Sequence, residues 1–510
     1  MRLTLRRLGT PAATLAAALL VALTTGLSGG AAPASADPDV TSIPEARARL
    51  AALPDTPLVS SSNVKHLSAS PSQTGISGCF LRSAPVFVTS GLDSLRVYDV
   101  RDGAHPKLTG VLPSAQFENE AMNCGERTTS QGKRRFALIG VDLVQASPGD
   151  IDHLNVGGGE LVVVEVTDPA APRILSRTPG LTSTHTVACV KPSNCEFAYS
   201  AGDSDGRFSI FDLRNLARPR EVDANPRKAG TQAFSSPTAG HKWNFGGGYG
   251  NHTGWNGTSI WDVSRPTRPK VITTTGAAGR GEDPRYAGYN DFIHHNSFRP
   301  NPGKFRAGAR PSYANGNVLL VTEEDYEQTD CTRAGSFQTW WVKRLDGTRN
   351  AIVPLDKVEL SDLGTFPLPQ GAFCSAHWFD WTSSGIVAAG FYGGGTQFLD
   401  VRNPRDIKSW GHATWGASEV WDAMWLPVYD RSGHLSGRTS NVVYSIDLVR
   451  GLDVYVVDVP GDGIGATPTP GVTRGSDSPL SLSSVLPAGL LGGAVALALG
   501  VRRRSRPRRG

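Results

Sequence analysis

Histidines and acids fall at matching places along this 510-residue chain. Glu120-Ala-Met-Asn-Cys124 and His185-Thr-Val-Ala-Cys189 align with one another. His241 (HKWNF), His294 or His295 (HHNSF), His377 (HWFDW) and Asp422 (WDAMW) open the corresponding runs further on. Glu323 and Glu324 (VTEEDYE), Asp142 and Asp203 close other short apolar runs. Imidazoles with carboxylates form a donor set for Zn, Cu, Fe or Mn, with positions left open for water or substrate. In such a site His185, His241, His295 and His377 are the nitrogen ligands, and Glu120 or Glu324 is a carboxylate ligand or general base. The plainer reading is a polar wall in which each imidazole bonds a nearby backbone carbonyl. Either reading requires elements that bring residues 120 to 422 to one place.

A repeated sentence supplies those elements. Ser94–Pro106 (SLRVYDVRDGAHP), Glu160–Pro172 (ELVVVEVTDPAAP), Arg207–Pro219 (RFSIFDLRNLARP) and Gly257–Pro269 (GTSIWDVSRPTRP) each read as a strand, an acid, a turn and a proline. Thr396–Val401 and Asp453–Val459 keep the strand and the acid. Alternating Val, Ile, Phe and Tyr favour a half-buried strand. The acid accepts backbone N–H bonds from the turn, and a proline suits the start of an outer strand that needs no ladder donor. A fixed spacing used many times marks one supersecondary unit, and four strands per unit repeated six to eight times describe a β-propeller.

Seven units are expected, at roughly 78–117, 118–181, 182–227, 238–277, 291–362, 373–413 and 418–460, with six or eight remaining open. The fifth is irregular, carrying insertions around Asn301–Ala314 and Asp325–Ser336 and a strand (SFQTWWV) that lacks the acid. Asn63–Ser68 reads as a lone outer strand, and the last unit stops after DVYVVDV. The amino-terminal strand is therefore expected to complete the final blade and remove its open edge. In a propeller the innermost strands surround a channel, so the aligned histidines converge at one of its mouths.

Over about residues 57–460 this repeat resembles the LVIVD-repeat proteins, bacterial extracytoplasmic propellers. The resemblance implies a propeller at the cell surface and no particular activity. The ring of imidazoles is similar, in architecture and residue type, to selenium-binding protein and methanethiol oxidase, which are propellers with a channel metal.

The two ends of the chain speak to location. Arg2, Arg6 and Arg7, the apolar stretch Ala12–Leu27 and Ala34-Ser35-Ala36 make residues 1–36 a secretory signal, and the Arg6-Arg7 pair hints at twin-arginine export. Residues 37–56 read as a linker and 461–483, rich in Gly, Pro, Ser and Thr, as a flexible stalk. Residues 484–501 have the length and composition of a membrane span, and the basic tail 502–510 holds its carboxy-terminal side in the cytoplasm with the body outside. Nine of the 51 cationic residues lie in the signal (1–36) and the basic tail (502–510) and none of the 46 acids does, which leaves the exported body at about −4. Nucleic acid, which needs clustered cations on the folded domain, is not an expected partner.

Six cysteines in an exported chain suggest three disulfides. Cys189–Cys195 fits the two arms of a hairpin, and proximity favours Cys79–Cys124 and Cys331–Cys374 among the three pairings of the remaining four. Asp203-Ser-Asp205-Gly reads as a turn before a Ca²⁺ loop, and GFYGGG (390–395) as a tight hairpin. No G-x-S-x-G element is present. Two functions follow. The first is a membrane-tethered module binding a protein, glycan or small molecule. The second is a metal-dependent, redox enzyme with its site at the channel mouth.

Overall fold

The computed structural model describes residues 57–473 apart from 72–74, 92–93, 114–121, 142–158, 203–204, 276–287, 290–291, 326–327, 365, 367 and 370–371. Seven four-stranded antiparallel units succeed one another along the chain. Their first, innermost strands are Gly75–Phe80, Asn123–Thr129, Thr186–Cys189, Gly240–Gly246, Ile293–Phe298, Phe379–Trp381 and Val420–Tyr429 in blades 1 to 7. The count of seven therefore holds. The irregular fifth unit builds an ordinary blade, because its inserted residues leave the four strands 293–298, 318–324, 337–342 and 352–358 intact.

The ends close the ring as the pattern required. Val64–Pro71 lies antiparallel to Gly451–Val457, from Val64 opposite Val457 to Pro71 opposite Gly451. The chain adds one strand that the pattern did not announce. Leu58–Ser60 pairs with Lys408–Trp415 as a fifth strand of blade 6, so the amino-terminal segment spans two neighbouring blades.

The recurring turn has a second role beyond ending a strand. Asp99, Asp212, Asp262 and Asp400 each accept the N–H two residues on, at 2.9–3.0 Å. This folds the turn so that the carbonyl four residues after the acid points at the preceding blade. There Gly103 accepts from Tyr444, Pro169 from Thr109, Leu216 from Ser176, Pro266 from Tyr199 and Pro404 from Thr339, at 2.6–3.4 Å. The spacing is thus that of a bolt between blades, and a buried neutral bond of this kind contributes about 1 kcal/mol.

Closer to the axis, inner strands are stitched in the same direction. Asn123 Oδ1 accepts from Cys189 N at 3.0 Å, Asn244 Nδ2 donates to Ser297 O at 2.7 Å, and Asp380 Oδ2 accepts from Trp425 N at 3.0 Å. Between these layers the blades pack apolar faces together, as with Val88, Val97, Ala137, Ile139, Val162 and Val164 between blades 1 and 2.

All three disulfides form as expected, Cys79–Cys124, Cys189–Cys195 and Cys331–Cys374. The first crosses from blade 1 to blade 2 and the second lies within blade 3. Residues 461–473, the start of the expected stalk, are tied to blade 7. Asn441 donates to Gly465 O and Thr467 O, and Val472 bridges Tyr429. The remainder of the stalk, the signal sequence, the linker, the apolar stretch 484–501 and the basic tail lie outside the described residues. Among those described, no helix is long and apolar enough to cross a membrane.

Candidate functional site

A β-bulge at one level of the inner strands sets the direction of the histidines. In blade 4 the register jumps from Gly240 opposite Gly254 to Lys242 opposite Thr253, which makes His241 the inserted residue. In blade 5 it jumps from His294 opposite Glu323 to Asn296 opposite Thr322, and the insertion is His295. Blade 7 repeats this at Trp421. In blade 6, Gly390 bonds both His377 N and Trp378 O, so two residues again face one. A Cβ on Gly390 would stand 2.7 Å from Val420 O, so only glycine admits this approach of blade 7. A bulge bends its strand and re-aims a side chain; here it turns an imidazole inward from three successive blades.

The rings form an arc. His185 and His241 have centroids 4.9 Å apart, His241 and His295 4.1 Å, His295 and His377 4.0 Å, and His377 and Trp421 5.1 Å. Glu324, the last residue of the second strand of blade 5, reaches into the arc. Its Oε2 lies 3.6 Å from His295 Nε2 and 3.9 Å from His241 Nε2, and its Oε1 lies 3.9 Å from His377 Nε2. All four side chains are buried. His377 Nδ1 lies 2.7 Å from the carbonyl of Trp421, which can only accept, so Nδ1 carries the proton and Nε2 presents a lone pair when the ring is neutral. Ligand atoms of His241, His295 and Glu324 all lie within 4.8 Å of one another.

Tyr392 completes the group. Its hydroxyl donates to Glu324 Oε1, and its ring stands 4.7 Å from that of His377. The residue sits at φ 46°, a left-handed conformation rare for tyrosine. Backbone bonds to Val420 in both directions (3.0 and 2.9 Å), with Gly395 N donating to Tyr392 O at 3.0 Å, hold it there. This tyrosine lies in the GFYGGG stretch that the sequence marks only as a tight hairpin. The hairpin is real, and it serves to present the phenol.

Other expected residues go elsewhere. His294, offered as an alternative to His295, faces the wall between blades 4 and 5. Its Nδ1 lies 2.9 Å from Thr258 Oγ1, and burial pushes its pKa down to about 3, so it stays neutral. Glu323 points away from Glu324, as alternation along a strand demands. It accepts from Phe292 N at 3.0 Å and from Ser336 and Gln338, both at 3.2 Å. His185 touches His241 but stands outside the group of three that share Glu324 Oε2 and its neighbours. Trp421, not Asp422, occupies the histidine level of blade 7. Asp205 accepts from Arg207 N at 3.0 Å, which is turn chemistry. Glu120, Asp142 and Asp203 lie outside the described residues.

Beside the arc lies a charged layer. Lys242 Nζ stands 3.6 Å over the Trp378 ring, whose centroid is 4.0 Å from that of His295. Burial raises Asp380 to about 6 and Asp422 to about 7. Lys242 opposes both shifts, while the charge of Asp380 adds to that of Asp422.

No protein-family model matches the chain, and no curated protein matches it. Many solved structures do. One is the β-propeller domain of Cps50 (Swd1) from Myceliophteria thermophila, 12% identical, covering 77% of this chain and 99% of that one with a TM-score of 0.47. Likeness at that level says nothing of activity. The strand pairing itself settles the architecture: the chain is an all-β, seven-bladed propeller.

Proposed function

We propose that the chain is a metal-dependent enzyme acting on a small substrate, with one metal ion held by His241, His295 and Glu324 and with His377 as a further ligand. The observation that carries this reading is the spacing around Glu324. Separations of 3.6–3.9 Å between Nε2 and carboxylate oxygen are too long for a hydrogen bond. They are close to the ~3.3–3.6 Å that separates donors lying ~2.0–2.1 Å from one ion in tetrahedral or trigonal arrangement. Two histidines with one carboxylate are the donor set of catalytic zinc and of non-haem iron(II), and both leave positions open. Bound there, zinc supplies an activated water and iron a redox centre. The protein's own part is to fix the ligands on three rigid blades and to wall the site with Tyr392, Trp378 and Trp421.

A metal needed only for stability is poorly motivated, because two disulfides between blades and the shared final blade already hold the ring. The disulfides suit an oxidising compartment. The arginine-flanked apolar ends favour an exported body tethered to the membrane, within the LVIVD-repeat type of propeller. Elemental analysis of the purified exported body tests the reading. One equivalent of zinc, iron, copper or manganese is expected, lost in His295→Gln and retained in His294→Gln. A folded protein free of transition metal, unable to take one up, would refute it and leave the binding-module function in its place.

A further inference from the structure

Arg299 is the most anomalous side chain outside the channel. It follows the inner strand of blade 5 at the end remote from His295, and only 2% of its surface is exposed. Its Nε and both terminal nitrogens have no hydrogen-bond partner among the described residues, and no carboxylate there pairs with it. An arginine remains charged at neutral pH even with its pKa lowered to about 10 by burial. The guanidinium carbon lies 4.5 Å from the centroid of Tyr249 and 5.9 Å from that of Phe305. Ring contacts of this kind offset only part of what burying an uncompensated ion costs. The charge is thus stacked but not neutralised.

A second orphan lies two residues earlier in the chain. Ser297 Oγ is buried and also without a partner among the described residues. Tyr249 belongs to the second strand of blade 4, so the guanidinium looks toward that blade, and Ser297 stands two residues before it on the inner strand of blade 5. The segment 301–316 packs against the guanidinium. It begins at Asn301 (φ 52°), forms short turns at Pro302–Lys304 and Tyr313–Asn315, and contributes Phe305 to the stack. Asn317 Nδ2 bonds Ala309 O and Arg310 O at 3.0 Å each, and Tyr313 OH bonds Val401 O of blade 6 at 2.6 Å, so the segment is fastened to two blades.

We propose that Arg299 and Ser297 form an anion site between blades 4 and 5, separate from the histidine arc, which takes a single carboxylate or phosphate group. The planar fork of a guanidinium matches two oxygens of such a group in parallel bonds. The hydroxyl supplies a third donor, and the Tyr249 ring holds the fork in plane. The anion's charge replaces the one the protein does not supply. Orphaned buried donors of this kind mark an ion or ligand position.

Calorimetric titration of the full exported body tests this, with inorganic phosphate and succinate as probes at constant ionic strength set by chloride. Saturable one-to-one binding of phosphate, of succinate or of both is expected, and which probe binds distinguishes a phosphoryl from a carboxylate ligand. Arg299→Met is expected to weaken that binding about 100-fold or more, as loss of one partner of a buried charge pair does, and Ser297→Ala about tenfold. Metal content is unchanged in both variants, so this result stands apart from that of the histidine site. The proposal is overturned if neither probe binds the wild-type protein saturably. It is also overturned if Arg299→Met binds as well as wild type, which would assign the anion elsewhere. Should Arg299→Met fail to fold, Ser297→Ala with its fork intact still reports on the site.

Discussion

Replacing Tyr392 with phenylalanine removes one oxygen and leaves the rest of the site in place. The ring keeps its contacts, 4.7 Å to His377 and 5.9 Å to Trp421, and the left-handed backbone keeps its bonds to Val420 and Gly395. The loss is the hydroxyl's bond to Glu324 Oε1. A hydrogen bond to a buried charged group contributes about 1.5–3 kcal/mol, and at 1.4 kcal/mol per factor of ten that is about 10–100-fold in affinity for an ion Glu324 helps to hold. Loss of an outer partner of a metal ligand has effects of the same size. Freed from the phenol, Oε1 can also join Oε2 on the ion, which changes the number of donors. Tyr392→Phe is therefore expected to bind Co²⁺ or Zn²⁺ about 10–100-fold more weakly in competition with a chromophoric chelator. Its Co²⁺ visible spectrum should differ in intensity from that of wild type. Affinity within threefold of wild type, with an identical spectrum, would refute the idea that the phenol fixes the carboxylate.

Three further outcomes follow from the same structure. Asp380 and Asp422 have folded-state pKa values raised by burial to about 6 and about 7, so the folded protein holds more protons than the unfolded chain between pH ~4 and ~7. Their contribution is complete below that window and is lost as pH rises through it. Asp422→Asn should flatten this part of the melting-temperature profile and raise stability at pH 8 relative to wild type, and an unchanged profile would count against the buried pair. The disulfides close loops of 45, 43 and 6 residues, so by chain entropy removing Cys79–Cys124 or Cys331–Cys374 costs about 4 kcal/mol and Cys189–Cys195 about 2 kcal/mol. Denaturant melts of the paired Cys→Ala variants measure that order. Deleting residues 58–71 bares the buried strand Gly451–Val457 as an open edge, and size-exclusion chromatography should show oligomers or aggregate where wild type runs as a discrete species.

The architecture was legible because its signal is redundant. Strand, acid, turn and proline recur in four copies, and the missing outer strand of the last unit has its counterpart at Val64–Pro71. The disulfides followed from that order, since neighbouring blades bring neighbouring cysteines together. The site was legible only to within a residue. Alternation cannot choose between His294 and His295 because the bulge between them breaks the period of two, and the same slip puts Trp421 where Asp422 was expected. Glu324 is the one of the two acids named as a ligand from the sequence, and alternation along the strand turns Glu323 away from the histidines. Tyr392 carried no signal, because a tyrosine among glycines looks like hairpin filler until its hydroxyl is seen on Glu324. Arg299 carried none either, since a lone arginine after a strand ordinarily points to water.

The pairing of Val64 with Val457 has a consequence for how the molecule comes to be. The residues made earliest find their partners only after nearly the whole chain has emerged, and six sheets can assemble while the seventh waits. Contacts between such distant positions are slow to form. The half-made ring must therefore persist, its gap unsealed, until the final strand arrives. Release before that moment is the stage at which neighbouring copies trade their leading strands.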